Sequence, residues 1–228
     1  MSQAEESPSR ATAGRPRDRQ IDDALLDAAF ALLNEHGYAA LSLDAVARRA
    51  ATSRPALYRR WPNRAALALD AIARRLETPA VPDTGCTLCD IAEGFGVFLS
   101  ALRSIRPDAL GGLYGECYPD AELKERYAAT IVQPARRAVA LMLDRAVDRG
   151  DLRADVDREL LLDILGSLVQ YRAMFGRAHL TDAEAESAIE MLLRGAAVDY
   201  DALLAHSLAE PRPHVDDSGA HVVHLHEG

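Results

Sequence analysis

The densest chemistry-bearing run in this 228-residue chain is Ser53-Arg54-Pro55-Ala56-Leu57-Tyr58-Arg59-Arg60-Trp61. A guanidinium can donate two hydrogen bonds to guanine O6 and N7, a small side chain such as Ala56 can meet a thymine methyl, and a phenol such as Tyr58 reaches phosphate. Reading a duplex in this way needs a rod slim enough to enter the major groove, with its apolar side anchored elsewhere. The spacing provides such a rod. Leu57 and Trp61 lie four apart and anchor one face of a helix, leaving Pro55, Ala56, Arg59 and Arg60 on other azimuths. The competing reading of the same run is an ordinary packed helix with solvated arginines.

A second constellation is Cys86-Thr-Leu-Cys89, whose spacing suits zinc ligation or a redox pair. No second ligand pair stands at zinc-finger spacing and no βαβ pattern flanks it. At a helix start such cysteines serve as small buried apolar residues. Three cysteines, with Cys117 the third, make a poor disulfide framework. His214, His221, His224 and His226 crowd a polar tail that gives metal poor geometry. No Ser/His/Asp set, paired-carboxylate pattern or phosphate-binding glycine loop is present, so an enzyme reading has no residues to name, and neither cofactor nor metal is expected.

The elements that position the arginine run are helical throughout. Residues 1–19 show no apolar periodicity and carry Arg10, Arg15, Arg17 and Arg19, which predicts a disordered basic arm. From Ile21 apolar residues recur at helical spacing until Gly37 stops them. Ser42 is placed to cap a short second helix, and Ser53 a third running from Arg54 to about Arg60 with Pro55 in its first turn. Pro62 ends that helix, and Asn63 caps a fourth through Leu67, Ile72 and Leu76. Two short helices separated by a tight break follow the logic of a helix-turn-helix.

Pro, Gly and Asp between Thr78 and Gly85 place a boundary near residue 80. Beyond it the periodicity predicts helices at 87–103, 107–117, 120–148, 157–176 and 181–206, with Pro134 kinking the third. The organisation expected is an arm (1–19), a helix-turn-helix domain (20–80), a helical effector-binding and dimerisation domain (81–208) and a disordered tail (209–228). The fold class is all-α.

Net charge is −9, which spread evenly would argue against nucleic acid. It is not spread evenly. Residues 1–75 hold 12 Arg against 9 Asp and Glu, so a positive N-terminal part sits on an acidic body that discourages indiscriminate coating of DNA. No apolar run is long enough to span a membrane and no secretory h-region opens the chain, which predicts a cytoplasmic protein.

Leu41-Ser42-Leu43-Asp44-Ala45-Val46-Ala47, followed by Arg54-Pro55-Ala56-Leu57-Tyr58-Arg59-Arg60-Trp61-Pro62-Asn63-Arg64-Ala65-Ala66-Leu67, resembles the DNA-binding domain of the TetR family of bacterial transcriptional regulators. Ala29, Leu32, Gly37 and Tyr38 fall where that family has its first helix and glycine turn. The resemblance spans residues 20–70. It implies an N-terminal three-helix head, a fourth helix linking it to a C-terminal ligand domain, and a homodimer built from the last two long helices. Carried over by position, Ser42, Thr52 and Ser53 meet backbone phosphate, Arg54, Pro55, Ala56, Tyr58, Arg59 and Arg60 belong to the reading helix, and Arg64 clamps phosphate. Asp44 departs from the family's polar or basic contact and is given no role. Arg15 and Arg17 of the arm are placed to enter a minor groove.

Past residue 80 the reading is physical. Leu160, Leu161, Ile164, Leu165, Leu168, Val169, Tyr171 and Phe175 leave their helix little polar surface, so it must be covered on two sides, by its own subunit and by a twin. Phe98, Leu102, Tyr114, Cys117, Met142 and Tyr171 are the candidate lining of an effector pocket. The function expected is a repressor that binds a palindromic operator on double-stranded DNA and is released by a small molecule. The alternatives are a helical redox or metal protein using Cys86 and Cys89, and a constitutive DNA binder without effector.

Overall fold

The structure is a computed structural model that describes residues 15–76, 81–175 and 179–209. Helices account for all its long elements among these residues: α1 (Arg15–His36), α2 (Leu43–Arg49), α3 (Arg54–Tyr58), α4 (Arg64–Ala73), α5 (Thr87–Arg103), α6 (Pro107–Cys117), α7 (Ala121–Tyr127), α8 (Gln133–Asp148), α9 (Arg158–Phe175), α10 (Asp182–Ala196) and α11 (Tyr200–Ala209). A 3-10 turn, Tyr38–Ala40, joins α1 to α2. No helix of the described residues is long and apolar enough to cross a membrane.

The head, α1 to α4, is built on α1 packed against α4, with α2 packed on α1 and α3 on α2. Leu25, Ala29 and Leu33 of α1 and Leu67, Ala68 and Ile72 of α4 lose all contact with solvent, and Val46 and Leu57 bring α2 and α3 onto the same core. Local signals place the breaks. Ser42 and Asn63 accept from the backbone N–H of Ala45 and Ala66 at 3.2 and 2.8 Å, satisfying donors that a helix start leaves orphaned. Between α2 and α3 the chain turns through Ala51 at φ +49°, a left-handed conformation that costs a residue with a Cβ about 1 kcal/mol.

Several sequence expectations need correction here. The first helix begins at Arg15, so residues 15–19 are helical and not arm; residues 1–14 lie outside the described residues, as do 77–80 at the expected boundary and the histidine tail. α3 closes at Tyr58, two residues early, and the Ser53 hydroxyl makes no capping bond. The expected helix 181–206 is two helices. Its break is held by a short antiparallel bridge in which Arg153 N–H donates to Ala196 C=O and Val198 N–H to Asp151 C=O, both at 2.9 Å. Asp199 then caps α11 through Ala202 N–H at 3.0 Å.

The body is organised around α5, which contacts α8, α10 and α11, while α6 and α8 both pack on α9. Residues 121–148 do form the one long rod expected, but Pro134 is absorbed in an unexpected way. A π-helical turn, Ala128–Val132, precedes it. Wider i→i+5 pairing makes room for a ring that would collide with the preceding α turn, and such turns tend to lie at functional sites.

Candidate nucleic-acid interface and the cavity behind it

Leu57 is fully buried and Trp61 nearly so, which fixes one face of α3 in the head core and turns the other outward. Ser53, Arg54, Pro55, Tyr58 and Arg59 are exposed there, Ala56 and Thr52 half-buried, and Ser42 exposed at the start of α2. Tyr58 keeps 53% of its surface in solvent. Arg54 lies along Asp44, Nε to Oδ1 at 2.9 Å, which gives the residue left without a role the task of orienting a reading-helix cation.

Most head arginines are committed to carboxylates: Arg49 to Glu35, Arg74 to Asp23 and Arg75 to Asp27. Arg60, expected on the reading face, is turned back. Its side chain keeps 18% exposure, ion-pairs with Asp22 of α1 and donates to the Ala56 C=O at 2.9 Å. Arg64, expected as a phosphate clamp, is paired across to the body. It donates to Glu116 of α6 from Nε and a terminal nitrogen at 2.8 and 2.6 Å, reaches the Leu41 C=O and lies over the Tyr38 ring at 4.8 Å. The Glu116 hydrogen bond raises the guanidinium pKa above its usual value, so Arg64 is a fixed cation at the seam between head and body.

That leaves three exposed head arginines with no ion pair among the described residues, Arg19 on α1, Arg48 at the end of α2 and Arg59 after α3, the last two within the helix-turn-helix. Arg48 escaped the sequence reading because the reading face was sought on α3, with α2 read only as its capped neighbour. Its signal was present in the last turn of α2, the helix that crosses a backbone when the next one enters a groove.

Two links tie the head to the body. In the first, α6 lies on the 3-10 turn so closely that a Cβ on Gly112 would sit 3.0 Å from Tyr38 Cβ, and one on Gly37, at φ +78°, 2.8 Å from Asp108 Oδ2. Burial next to Glu116 pushes the Tyr38 phenol well above its ordinary pKa, so it stays neutral. In the second, the Trp61 indole N–H donates to Asp70 Oδ2 at 2.8 Å, and Asp70 Oδ1 accepts from Arg126 of α7.

Behind those links lies a partly open cavity of about 280 Å³ lined by α5, α6, the end of α7, the π turn, α8 and α9. Phe95, Phe98, Leu102, Leu110 and Ile131 make its walls predominantly apolar, while Tyr127, Ser167, Gln170 and the Arg136–Asp163 ion pair supply polar groups. Burial also lifts the Tyr127 phenol far above its normal pKa, keeping it a neutral hydrogen-bonding group. Of the residues expected to line a pocket, Phe98 and Leu102 do so. Tyr114 stacks on Tyr118 and Tyr127, Cys117 and Met142 are sealed in the core, and Tyr171 points out of the molecule at 62% exposure.

Tyr171 belongs to a different surface. Leu160, Ile164, Tyr171 and Phe175 form one exposed stripe along α9, while Leu161, Leu165 and Val169 bury the opposite side; Met191 of α10 and Val198 beyond its end are exposed as well. The two-sided helix read from sequence is therefore present, with its second side uncovered in a single subunit.

Comparison with known proteins accords with this geometry. Residues 25–77 match the family description "Bacterial regulatory proteins, tetR family", and residues 81–192 match "Tetracyclin repressor-like, C-terminal domain". The regulator YdeS of Bacillus subtilis (strain 168), described as an uncharacterized HTH-type transcriptional regulator, is 30% identical over 183 residues, covering 80% of this chain and 92% of YdeS. The chain belongs to the TetR family. Within that family, the DNA-binding transcriptional repressor TetR of Mycobacteroides abscessus is 31% identical over 155 residues, 67% of this chain and 82% of that one. The crystal structure of the TetR family regulator SCO0332 superposes with a TM-score of 0.58 at 30% identity, covering 77% of this chain and 98% of that one. This TetR-family chain is thus a helix-turn-helix transcriptional regulator, with the all-α head and C-terminal domain that the sequence pattern implied.

Proposed function

We propose that the protein is a cytoplasmic, homodimeric repressor that holds a palindromic operator through α3 and releases it when a largely apolar small molecule fills the cavity. It acts by binding, with no catalytic step. Residues 20–80 form the DNA-binding unit and 81–208 the effector and dimer unit. Arg59, Tyr58, Arg54, Pro55 and Ala56 meet the major groove, with Ser42, Thr52, Ser53 and the additional Arg48 on phosphate. Arg60 and Arg64 keep the head's shape and its seat on the body. The uncovered stripe on α9, together with α10, meets its twin, as a self-complementary patch does in a two-fold dimer, and this sets two reading helices on one face of the duplex.

The observation that carries the reading is α6, which faces both ways. Leu110 lines the cavity, while Asp108, Gly112 and Glu116, on the other side of the same helix, meet Gly37, Tyr38 and Arg64 of the head. A ligand that shifts α6 must shift the head, because a close-packed seam transmits displacement instead of absorbing it. The link from Tyr127 in the cavity wall through neighbouring Arg126 and Asp70 to Trp61 gives a parallel route. Release then follows from the ligand's preference for one head spacing.

Selection of bound duplexes from a random DNA pool tests the operator claim. Enrichment of a palindrome supports it, and an unenriched pool contradicts it. A thermal-shift screen of apolar compounds, followed by displacement of the selected duplex, tests the effector claim.

A further inference from the structure

Cys86 and Cys89, taken from sequence as small buried apolar residues, are bonded to each other in a disulfide that closes over the first turn of α5. Cys86 caps the helix: its Sγ accepts from the Cys89 backbone N–H at 3.3 Å, and its side chain is almost wholly buried. Cys89 is only partly buried and lies on the seam with α11, its Sγ 3.6 Å from the hydroxyl of buried Ser207. The loop ahead of the pair is held without help from sulfur. Thr84 donates to Asp90 Oδ1 from its backbone N–H and its hydroxyl at 2.9 and 2.7 Å, and Cys86 N–H donates back to the Thr84 hydroxyl at 3.2 Å.

We propose that Cys86 and Cys89 form a reversible thiol-exchange site, a redox input separate from the effector cavity, whose co-reactants are low-molecular-weight thiols and disulfides. In the reducing direction an external thiolate attacks the Sγ of Cys89, the less buried residue of the pair. The S–S bond breaks and Cys86 leaves as a thiolate, stabilised where it already accepts a helix N-terminal N–H. A second external thiolate then attacks its own kind in the mixed disulfide. Cys89 leaves, and two protons from solvent or the thiol pool complete the dithiol, so the pair gains two electrons and two external thiols become one disulfide. Oxidation is the reverse, with Cys89 attacking an external disulfide and Cys86 expelling the second thiolate.

Several features favour exchange over a purely structural bridge. The Thr84–Asp90 clamp keeps the sulfurs adjacent in either state, so reclosure is intramolecular and fast. The third cysteine, Cys117, is fully buried in the core and its thiol is pushed toward the neutral form, which confines exchange to the pair. No cluster of three or more His, Cys, Asp or Glu side chains able to hold a metal occurs among the described residues, so the pair has no ready co-ligands there. The consequence falls on α11, because Cys89 and Ser207 meet across the α5–α11 contact. Opening the bridge loosens that helix and leaves the head in place.

The test uses the full-length protein in its native assembly, equilibrated with reduced or oxidised glutathione, alkylated and mapped by mass spectrometry, with hydrogen exchange measured in parallel. The expected result is joint conversion of Cys86 and Cys89 in the folded protein, with exchange in residues 200–209 rising about threefold or more on reduction and exchange in α1–α4 unchanged. The Cys86→Ser/Cys89→Ser variant should show no glutathione dependence. The proposal is overturned if the pair reacts only after denaturant unfolds the chain, if it converts without altering α11, or if the double variant responds like the parent. None of these readouts involves DNA or an effector, so failure here leaves the repressor reading untouched.

Discussion

The head and the body expose opposite kinds of surface. In the head most arginines are tied down by carboxylates, and within the helix-turn-helix Arg48 and Arg59 remain, beside exposed Tyr58 and an Arg54 that Asp44 orients. In the body the conspicuous surfaces are apolar: the cavity behind α6 and the uncovered stripe of Leu160, Ile164, Tyr171 and Phe175. On the proposed function, the head would read through a few directed hydrogen bonds, whereas the body would recognise by shape and area. Each can be damaged while the other survives.

The largest effect that separates them is expected from Ile164→Glu. A charge buried twice across a two-fold interface costs on the order of 4 kcal/mol, roughly a thousandfold in the dimer dissociation constant. Sedimentation velocity should show monomers whose heads still unfold cooperatively. An unchanged dimer would move the interface elsewhere. Next comes Leu57→Ala, which removes a fully buried anchor of α3 at about 3 kcal/mol. Circular dichroism melts should show an early head transition with the body and dimer retained, and loss of the body together with the head would erase the distinction.

Gly112→Val probes the seam between the two regions. Its side chain must displace Tyr38, and a loss of about 1–2 kcal/mol is expected for such overpacking. Trp61 is the chain's single tryptophan and hydrogen-bonds to Asp70 behind that seam, so its emission should shift with the variant. An unaltered spectrum would mean that α6 does not steer the head. The smallest effect is a gain: Ala51→Gly relieves the left-handed turn before α3 and should raise head stability by about 0.5 kcal/mol, read by denaturant titration.

The same contrast explains what was legible in the sequence. Head elements are declared locally, by Ser42 and Asn63 as caps, Pro55 in a first turn and Leu57 four before Trp61, so their order and anchors were readable. The pairing of Arg60 was not legible, because it is made with Asp22, a partner 38 residues upstream. The pairing of Arg64 with Glu116, 52 residues downstream, was hidden for the same reason. In the body, apolar periodicity announces helices but not which side faces a void. Phe98 and Leu102 were found because α5 happens to turn them inward, while Met142 has the same chemistry and fills core instead. The break between α10 and α11 rests on backbone bonds to residues 151 and 153, which no local pattern encodes.

The division of labour between Arg59 and Arg60 is the sharpest test of the whole account. Binding of Arg59→Ala and Arg60→Ala dimers to the selected operator and to random duplex, at one salt concentration, compares them directly. Arg59→Ala should lose about 2 kcal/mol on the operator and much less on random DNA, whereas Arg60→Ala should lower head stability and weaken both duplexes by the same factor. Selective loss of the operator in Arg60→Ala, with Arg59→Ala indifferent to sequence, would contradict the placement of the reading face.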